Sequence, residues 1–151
     1  ETPTAWKHTR LGQWVYGIEL VAARPWFGWG AAAFSVLYPI YAAKRWHGHS
    51  HNLPLELAIS YGLPVTVLIV GTVFLLLVVA LKRGMLQRDP LERAWWAAAL
   101  VMLMMHATDL PLFDSRMNIL GWVLLAGLAN VSQPSKLDRD ALAVSGESAD
   151  L

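Results

Sequence analysis

The fold of this chain is decided by residues 47–64, which read HGHSHNLPLELAISYGLP. Three histidines, an asparagine and a glutamate fall within the first ten of these residues. The apolar run Val65–Leu81 follows directly and contains no charged side chain. Clustered polar chemistry and a segment suited to a lipid bilayer therefore meet at one point of the chain.

A helix is predicted to begin at residues 52–54, with Pro54 in its first turn, where the missing proline N–H costs nothing. Asn52 is suited to cap this helix, and Glu56 to accept its unpaired N–H groups. His51 would lie at the positive end of the helix dipole, which favours a neutral imidazole and a nearby anion. Such an imidazole is a candidate general base. The alternative is a purely structural helix cap.

The composition is typical of a membrane protein, since 56% of the 151 residues are hydrophobic, 15% are charged and the mean hydropathy is +0.41. The eight tryptophans agree with this, because tryptophan collects at lipid–water interfaces. A net charge of +1 gives no case for nucleic-acid binding. The absence of cysteine excludes disulfides and thiolate chemistry.

Three apolar runs predict transmembrane helices at about 62–81, 91–110 and 113–131, so the predicted fold is all-α and polytopic. Residues 1–61 would form a periplasmic loop segment with amphipathic helices, and residues 132–151 a disordered cytoplasmic tail. Four basic residues in segment 82–93 predict a cytoplasmic position for it and an outer position for the candidate site. Because the chain starts without methionine or a signal peptide, we expect a C-terminal piece of a longer protein.

Apolar residues recur at helical spacing from Arg10 to Ala23 and predict an amphipathic helix that is too polar to span a bilayer. Its apolar face would hold Leu11, Trp14, Val15, Ile18, Val21 and Ala22, and its opposite face Arg10, Gln13, Gly17 and Glu19. Arg24 and Pro25 should end this helix. Residues 25–30 (PWFGWG) predict an aromatic turn at the lipid–water boundary, and residues 31–43 a second short element.

Arg10 is a candidate phosphate ligand, because a guanidinium binds phosphate through two parallel hydrogen bonds and is permanently charged. Arg24, Lys44 and Arg45 are weaker candidates of the same kind. The alternative for all four side chains is contact with lipid headgroups.

His106 and Asp109 close the second predicted span, where ionisable groups usually face a cavity or a partner. Their spacing of three residues predicts one shared helical face, on the same side of the membrane as His51. The alternative is that both side chains extend to the lipid–water interface and have no role in a site.

His47, His49 and His51 alternate, and on a β-strand their imidazoles would share one face, as in a zinc, copper or nickel site. Gly48 and Ser50 favour a loop instead. We therefore expect solvated loop histidines, of which one is functional, and no metal site.

These residues resemble the C-terminal part of the O-antigen ligase family, which also includes polymerases and protein O-glycosyltransferases. Three segments carry the resemblance: RLGQW at 10–14 with RPWFGWG at 24–30, His51-Asn52 followed after nine residues by Gly62, and His106–Asp109 through Gly121 to Gly127. Together they cover roughly residues 8–131. One departure is Val65, where the family pattern favours Gly, Thr or Tyr, and this indicates a divergent branch.

The resemblance implies a cofactor-free transfer of a glycan from a polyprenyl diphosphate carrier to an acceptor hydroxyl at the periplasmic face of a bacterial inner membrane. His51 and Arg10 would be the catalytic residues, His51 acting on the hydroxyl and Arg10 on the diphosphate. The other candidate site residues are expected to contact the substrates: Asn52, Glu56, Arg24, His106 and Asp109. Family members carry a further important arginine earlier in the loop. The alternative is a transporter, since some relatives are associated with inorganic-carbon uptake.

Overall fold

The computed structural model describes residues 9–41, 47–83, 86, 88–109, 115–131 and 133. These residues form helices and no strand, which confirms the all-α prediction for them. The helices are α1 (Arg10–Ala23), α2 (Ala33–Tyr41), α3 (Leu53–Tyr61), α4 (Leu63–Lys82), α5 (Pro90–Thr108) and α6 (Ser115–Val131). Residues 1–8 of the predicted periplasmic segment, Lys44 and Arg45, and the predicted tail except residue 133 lie outside the described residues.

The bounds of α1 and the start of α3 lie where the sequence predicted them, although the Thr9 cap of α1 was not predicted. The Thr9 hydroxyl accepts the Gly12 N–H at 3.2 Å and starts α1, which ends at Arg24, before Pro25. The Asn52 side chain accepts the Leu55 N–H at 2.9 Å and starts α3. Each cap satisfies a backbone donor that the first helical turn leaves unpaired.

Helix α3 is the centre of the assembly and packs against α1, α2, α4 and α5. The core between α1, α2 and α3 is aromatic and aliphatic: Leu20, Ala33, Phe34, Tyr38 and Ile59. A second core lies between the three longer helices and consists of Leu77, Ala99 and Leu128. The short helix that carries the histidine motif at its start is thus in contact with both halves of the structure.

The buried side of α1 includes residues of the face that the sequence pattern marks as polar. The buried positions are Gly12, Gln13, Gly17 and Leu20, whereas Leu11 is 66% exposed and Ile18 is 61% exposed. Gly17 lies so close to α3 that a Cβ there would approach Leu55 Cδ2 to 2.7 Å. Small residues allow helices to pack closely. The helix therefore packs through its small and polar side.

Helix α4 is the one described helix that is long and apolar enough to cross a membrane. It has 20 residues and coincides, within one residue at each end, with the predicted span 62–81. Helix α5 begins one residue before the predicted apolar run 91–110 and ends two residues short of it. Helix α6 begins two residues after the start of the predicted run 113–131 and ends with it. However, α5 carries Glu92 and Arg93 near its start, and α6 has 17 residues. Length and composition therefore single out α4.

The aromatic turn at residues 25–30 packs on the junction of α3 and α4. Three backbone hydrogen bonds join the two segments: Trp29 N–H to Ile59 O at 2.8 Å, Gly30 N–H to Ser60 O at 3.0 Å, and Leu63 N–H to Pro25 O at 2.7 Å. The nine residues that separate Asn52 from Gly62 are α3 itself. Two of the sequence segments that carried the family resemblance are therefore in direct contact.

Candidate functional site

The loop that precedes His51 is held in place through hydrogen bonds to both the N–H and the carbonyl of Ser50, a fully buried residue. The Glu56 carboxylate accepts the Ser50 N–H at 2.9 Å, and the Trp14 indole donates to the Ser50 carbonyl at 3.0 Å. Glu56 is itself only 7% exposed. Its role in the structure is to order the histidine loop, and it does so from within the helix that the loop leads into.

Burial raises the pKa of Glu56 above its ordinary value of 4.5, and hydrogen bonds from Ser50 oppose this shift. Desolvation disfavours the charged carboxylate, while donors aimed at it favour the charged form. Because burial is the larger cause, the carboxylate sits in an environment that penalises its charge.

We expect Glu56→Ala to lower the free energy of unfolding by about 1–3 kcal/mol, because the buried Ser50 N–H loses its acceptor. Glu56→Gln retains an acceptor oxygen without the charge and should cost much less. Since the folded pKa lies above 4.5, the wild type should lose stability relative to Glu56→Gln as pH rises through that pKa. Thermal unfolding in detergent across this pH range measures both effects, and equal losses in the two variants would contradict the assignment.

His51 has a left-handed backbone, with φ of 53°, which is uncommon outside glycine, asparagine and aspartate. Such conformations persist only where the surroundings enforce them, and they concentrate at functional sites. The enforcing contacts are the Ser50 bonds on one side and the Asn52 cap on the other. The imidazole of His51 therefore projects from a backbone that is held in place.

The His51 Nδ1 lies 2.8 Å from Asp109 Oδ1, across 58 residues of sequence. Because a carboxylate only accepts, the neutral imidazole donates through Nδ1–H and carries its lone pair on Nε2. Asn52 supports this pairing, since its side-chain N–H donates to the Ala107 carbonyl at 2.8 Å and so ties the start of α3 to the end of α5. His51 is thereby oriented as a base with a carboxylate behind it.

Arg10 reaches the same carboxylate from α1. Its Nη1 donates to the Thr108 carbonyl at 2.9 Å, and its Nη2 lies 3.9 Å from Asp109 Oδ2. Both side chains of this pair are more than half exposed, so the pair contributes little to stability. We refer to Arg10, His51, Asn52 and Asp109 as the outer cluster.

His49 stands against His51, with ring centroids 4.3 Å apart, and its Nδ1 accepts the His51 backbone N–H at 3.3 Å. Burial lowers the pKa of His49, the neighbouring His51 and His47 lower it further, and Asp109 opposes them. One ligand atom from each of His49, His51 and Asp109 lies within 4.8 Å of the other two.

His47 turns away from this group, so the three alternating histidines do not share a face. Its ring lies edge-on to Tyr38 at 5.2 Å, and its Nδ1 lies 3.3 Å from the side-chain nitrogen of buried Gln13. A loop rather than a strand carries the motif, as the sequence indicated, and the loop is held more firmly than its glycine and serine suggest.

Arg24 lies at the opposite end of α1 from Arg10, about 20 Å along the helix at ~1.5 Å per residue. Its guanidinium stacks 4.1 Å above the Trp29 ring. The structure therefore does not bring Arg24 into the outer cluster, and its contact is with the aromatic turn.

The prediction that His106 and Asp109 share a helical face was wrong. Asp109 is the C-cap of α5 and has an extended backbone, with φ of −150°, which turns its carboxylate towards His51. His106 is still inside the helix, is buried, and donates through Nδ1–H to the Met102 carbonyl at 2.7 Å. It lines an apolar cavity of about 190 Å³ between α3, α4, α5 and α6, together with Asn118.

Two residues of α1 that support the site were not predicted to do so. Trp14 was assigned to an apolar face and Gln13 to a polar one, but both reach the histidine loop. Their signal in the sequence was weak, since an indole N–H and a buried amide need partners that only the fold supplies.

The described residues define the class first: helices without strands, a candidate membrane span in α4, and a histidine–carboxylate–arginine cluster where the starts of α1 and α3 meet the end of α5. The sequence model of the O-antigen ligase family then matches residues 3–70. The match confirms the resemblance over this segment and is consistent with an O-antigen ligase-like family. It includes Arg10, Arg24, His51, Asn52 and Glu56 and ends before His106 and Asp109. At this coarse level it points to a membrane-associated glycosyltransferase family of polysaccharide biosynthesis that acts on lipid-linked glycans.

No curated protein and no solved structure matches the chain.

Proposed function

We propose that the full-length protein transfers a glycan from a polyprenyl diphosphate carrier to an acceptor hydroxyl, and that the outer cluster is its reaction site. The observation that carries this proposal is the 2.8 Å contact between His51 and Asp109, with Arg10 beside the same carboxylate. A base, its orienting carboxylate and a fixed positive charge are the groups that such a transfer needs. No metal or organic cofactor is part of the proposed reaction.

His51 acts as the general base. The acceptor oxygen attacks the anomeric carbon of the glycan while His51 Nε2 takes the hydroxyl proton. The bond between this carbon and the diphosphate oxygen breaks, and the diphosphate leaves with the electron pair. Asp109 stabilises the imidazolium that forms, because its carboxylate faces the Nδ1–H of His51.

Arg10 stabilises the leaving diphosphate. Its two terminal nitrogens face Thr108 and Asp109, and the side chain is 56% exposed, so the guanidinium has an open side for an incoming phosphate. Positive charge placed in advance where negative charge develops is among the largest catalytic effects. Asn52 positions the cluster, and Glu56 keeps the loop in order.

The apolar cavity lined by His106 supports a lipid-linked substrate. Apart from His106 and Asn118 its lining is apolar, and it includes Leu53 at the start of α3, next to Asn52 of the outer cluster. A cavity of about 190 Å³ would hold a short stretch of an isoprenoid chain. His106 would then contact the carrier rather than the transferred sugar, and Arg24 would lie outside the reaction site.

We also propose that α4, α5 and α6 all cross the inner membrane, with the outer cluster on the periplasmic side and the tail in the cytoplasm. Large apolar side chains on all three helices are exposed, among them Leu68, Val101 and Trp122, and water would not favour such surfaces. The four basic residues in segment 82–93, which joins the end of α4 to the start of α5, give the orientation.

The proposed orientation predicts opposite labelling of two introduced cysteines in intact cells. Ala31→Cys, in the exposed aromatic-turn region, should react with a membrane-impermeant thiol reagent, because it lies on the outer side with the cluster. Gln87→Cys, in the basic segment, should react only after the membrane is permeabilised. Residues 1–151 contain no cysteine, and the unsubstituted protein is the control for background labelling. The reverse pattern would overturn the proposed side of the site.

Arg10→Lys tests the transfer proposal, because an ammonium keeps the charge but loses the planar fork that binds phosphate with two bonds. We expect a fall of about 10-fold or more in the rate of glycan transfer by the full-length protein. Arg24→Lys is the matched control and should retain most of the activity. Equal effects of the two substitutions would mean that Arg10 has no special role at the diphosphate.

A transporter is the less well supported alternative. A solute path needs polar groups along the membrane interior, and the polar side chains of α4 are Thr66 and Thr72 before the terminal Lys82. Both threonine hydroxyls donate to carbonyls of their own helix, at 2.9 Å to Gly62 and 2.6 Å to Leu68. Neither observation favours transport.

A further inference from the structure

We propose that His49, His51 and Asp109 form a binding site for a divalent transition-metal ion such as Zn²⁺, and that metal binding there inhibits the transfer reaction. The inhibition rests on the proposed function, because it acts on the proposed base. The binding itself does not depend on that function.

The geometry carries the proposal. Two imidazoles and one carboxylate offer ligand atoms that lie within 4.8 Å of one another. Ligand atoms around a tetrahedral zinc lie about 3.4 Å apart, given metal–ligand bonds of ~2.1 Å. His51 Nδ1 and Asp109 Oδ1 are 2.8 Å apart, so an ion between them requires these two atoms to separate slightly and His49 to approach by a side-chain rotation. Two histidines and a carboxylate leave a fourth position for water, which is a common zinc arrangement.

The ordered backbone of the histidine loop also favours metal binding at this site. His49 and His51 flank Ser50, which Glu56 and Trp14 hold in place, so the backbone positions of two of the three ligands need no rearrangement.

Metal binding and base catalysis exclude each other at His51. An ion between His51 Nδ1 and Asp109 replaces the shared proton, which moves to Nε2 of the neutral ring. The Nε2 lone pair is then no longer present to accept the proton of an acceptor hydroxyl. The ion also takes the carboxylate that would stabilise the imidazolium.

Arg10 works against the ion, since its guanidinium lies 3.9 Å from Asp109 Oδ2 and is permanently charged. The site should therefore bind metal more weakly than a typical zinc enzyme does. Removing this charge with Arg10→Gln should strengthen metal binding, whatever it does to transfer.

The test uses the full-length protein in detergent, purified through a tag without histidines, with Co²⁺ as a spectroscopic probe and Zn²⁺ as competitor. We expect visible absorption bands of bound Co²⁺ that Zn²⁺ abolishes. His49→Ala and Asp109→Asn should remove these bands, Arg10→Gln should strengthen them, and the matched control His47→Ala should leave them unchanged. The absence of bands in the wild type, or bands that survive His49→Ala, would overturn the site.

The inhibition is measured separately, as the Zn²⁺ concentration that halves glycan transfer, with each variant compared with its own metal-free rate. His49→Ala should require at least ~10-fold more Zn²⁺ than the wild type, and His47→Ala the same amount. EDTA should restore the inhibited wild type and leave the untreated enzyme active. Loss of activity with EDTA alone would overturn inhibition. No transfer under any condition would refute the proposed function, while the Co²⁺ spectrum would still decide the metal site.

Discussion

His51→Ala abolishes or nearly abolishes glycan transfer by the full-length protein, with an expected loss of about 10²–10⁴-fold, which is the usual contribution of a general base. The structure gives this expectation its physical basis. His51 Nδ1 faces Asp109 at 2.8 Å, which leaves Nε2 to accept a proton. The Nδ1 of His47 lies against Gln13 instead, and the Nδ1 of His49 accepts the His51 backbone N–H. A transfer assay at equal protein levels in the membrane is the measurement.

Two further variants separate chemistry from folding. His51→Asn should be as inactive as His51→Ala but should retain its stability, because asparagine tolerates the positive φ of 53° at this position. His47→Ala should retain most of the activity, since His47 contacts Tyr38 and Gln13 rather than the outer cluster. A fully active His51→Ala would leave the helix-start role as the explanation of this motif.

Gly62→Ala is expected to cause the largest loss of folded protein. Gly62 has φ of 86° and ψ of 170°, a region that is essentially restricted to glycine. A Cβ at this position would also collide with the backbone of Trp26 and Phe27, which cannot move without opening the aromatic turn. Conformational strain alone costs about 1–3 kcal/mol, and the collision adds to it. We expect low protein levels and a clearly reduced thermal unfolding temperature.

Gly71→Ala is the matched control, because it makes the same chemical change nine residues further along the chain. A Cβ at Gly71 would meet nothing within 4 Å, and alanine favours helix over glycine by about 1 kcal/mol. This variant should be neutral or slightly more stable. If both glycine variants have the same protein level and unfolding temperature, glycine at position 62 is not required for the contact between the aromatic turn and the α3–α4 junction.

The sequence by itself determined the features that depend on near neighbours in the chain. The end of α1 follows from the Arg24-Pro25 pair, and the start of α3 follows from Asn52 and Pro54. The length and composition of α4 were equally readable, because bilayer thickness requires about 20 apolar residues. Capping, proline sterics and helix rise act over a few residues, so no fold was needed to recognise them.

Only the tertiary structure decided which face of α1 is buried and which groups His51 meets. The helical period alone could not say whether the apolar face would pack inward or remain exposed, since that depends on what surrounds the helix. The partner of His51 lies 58 residues away, and it faces His51 because α5 ends at Thr108 and the backbone of Asp109 is extended. Contacts of this kind arise from the packing of α1, α3 and α5 together, and no local pattern in the sequence encodes them.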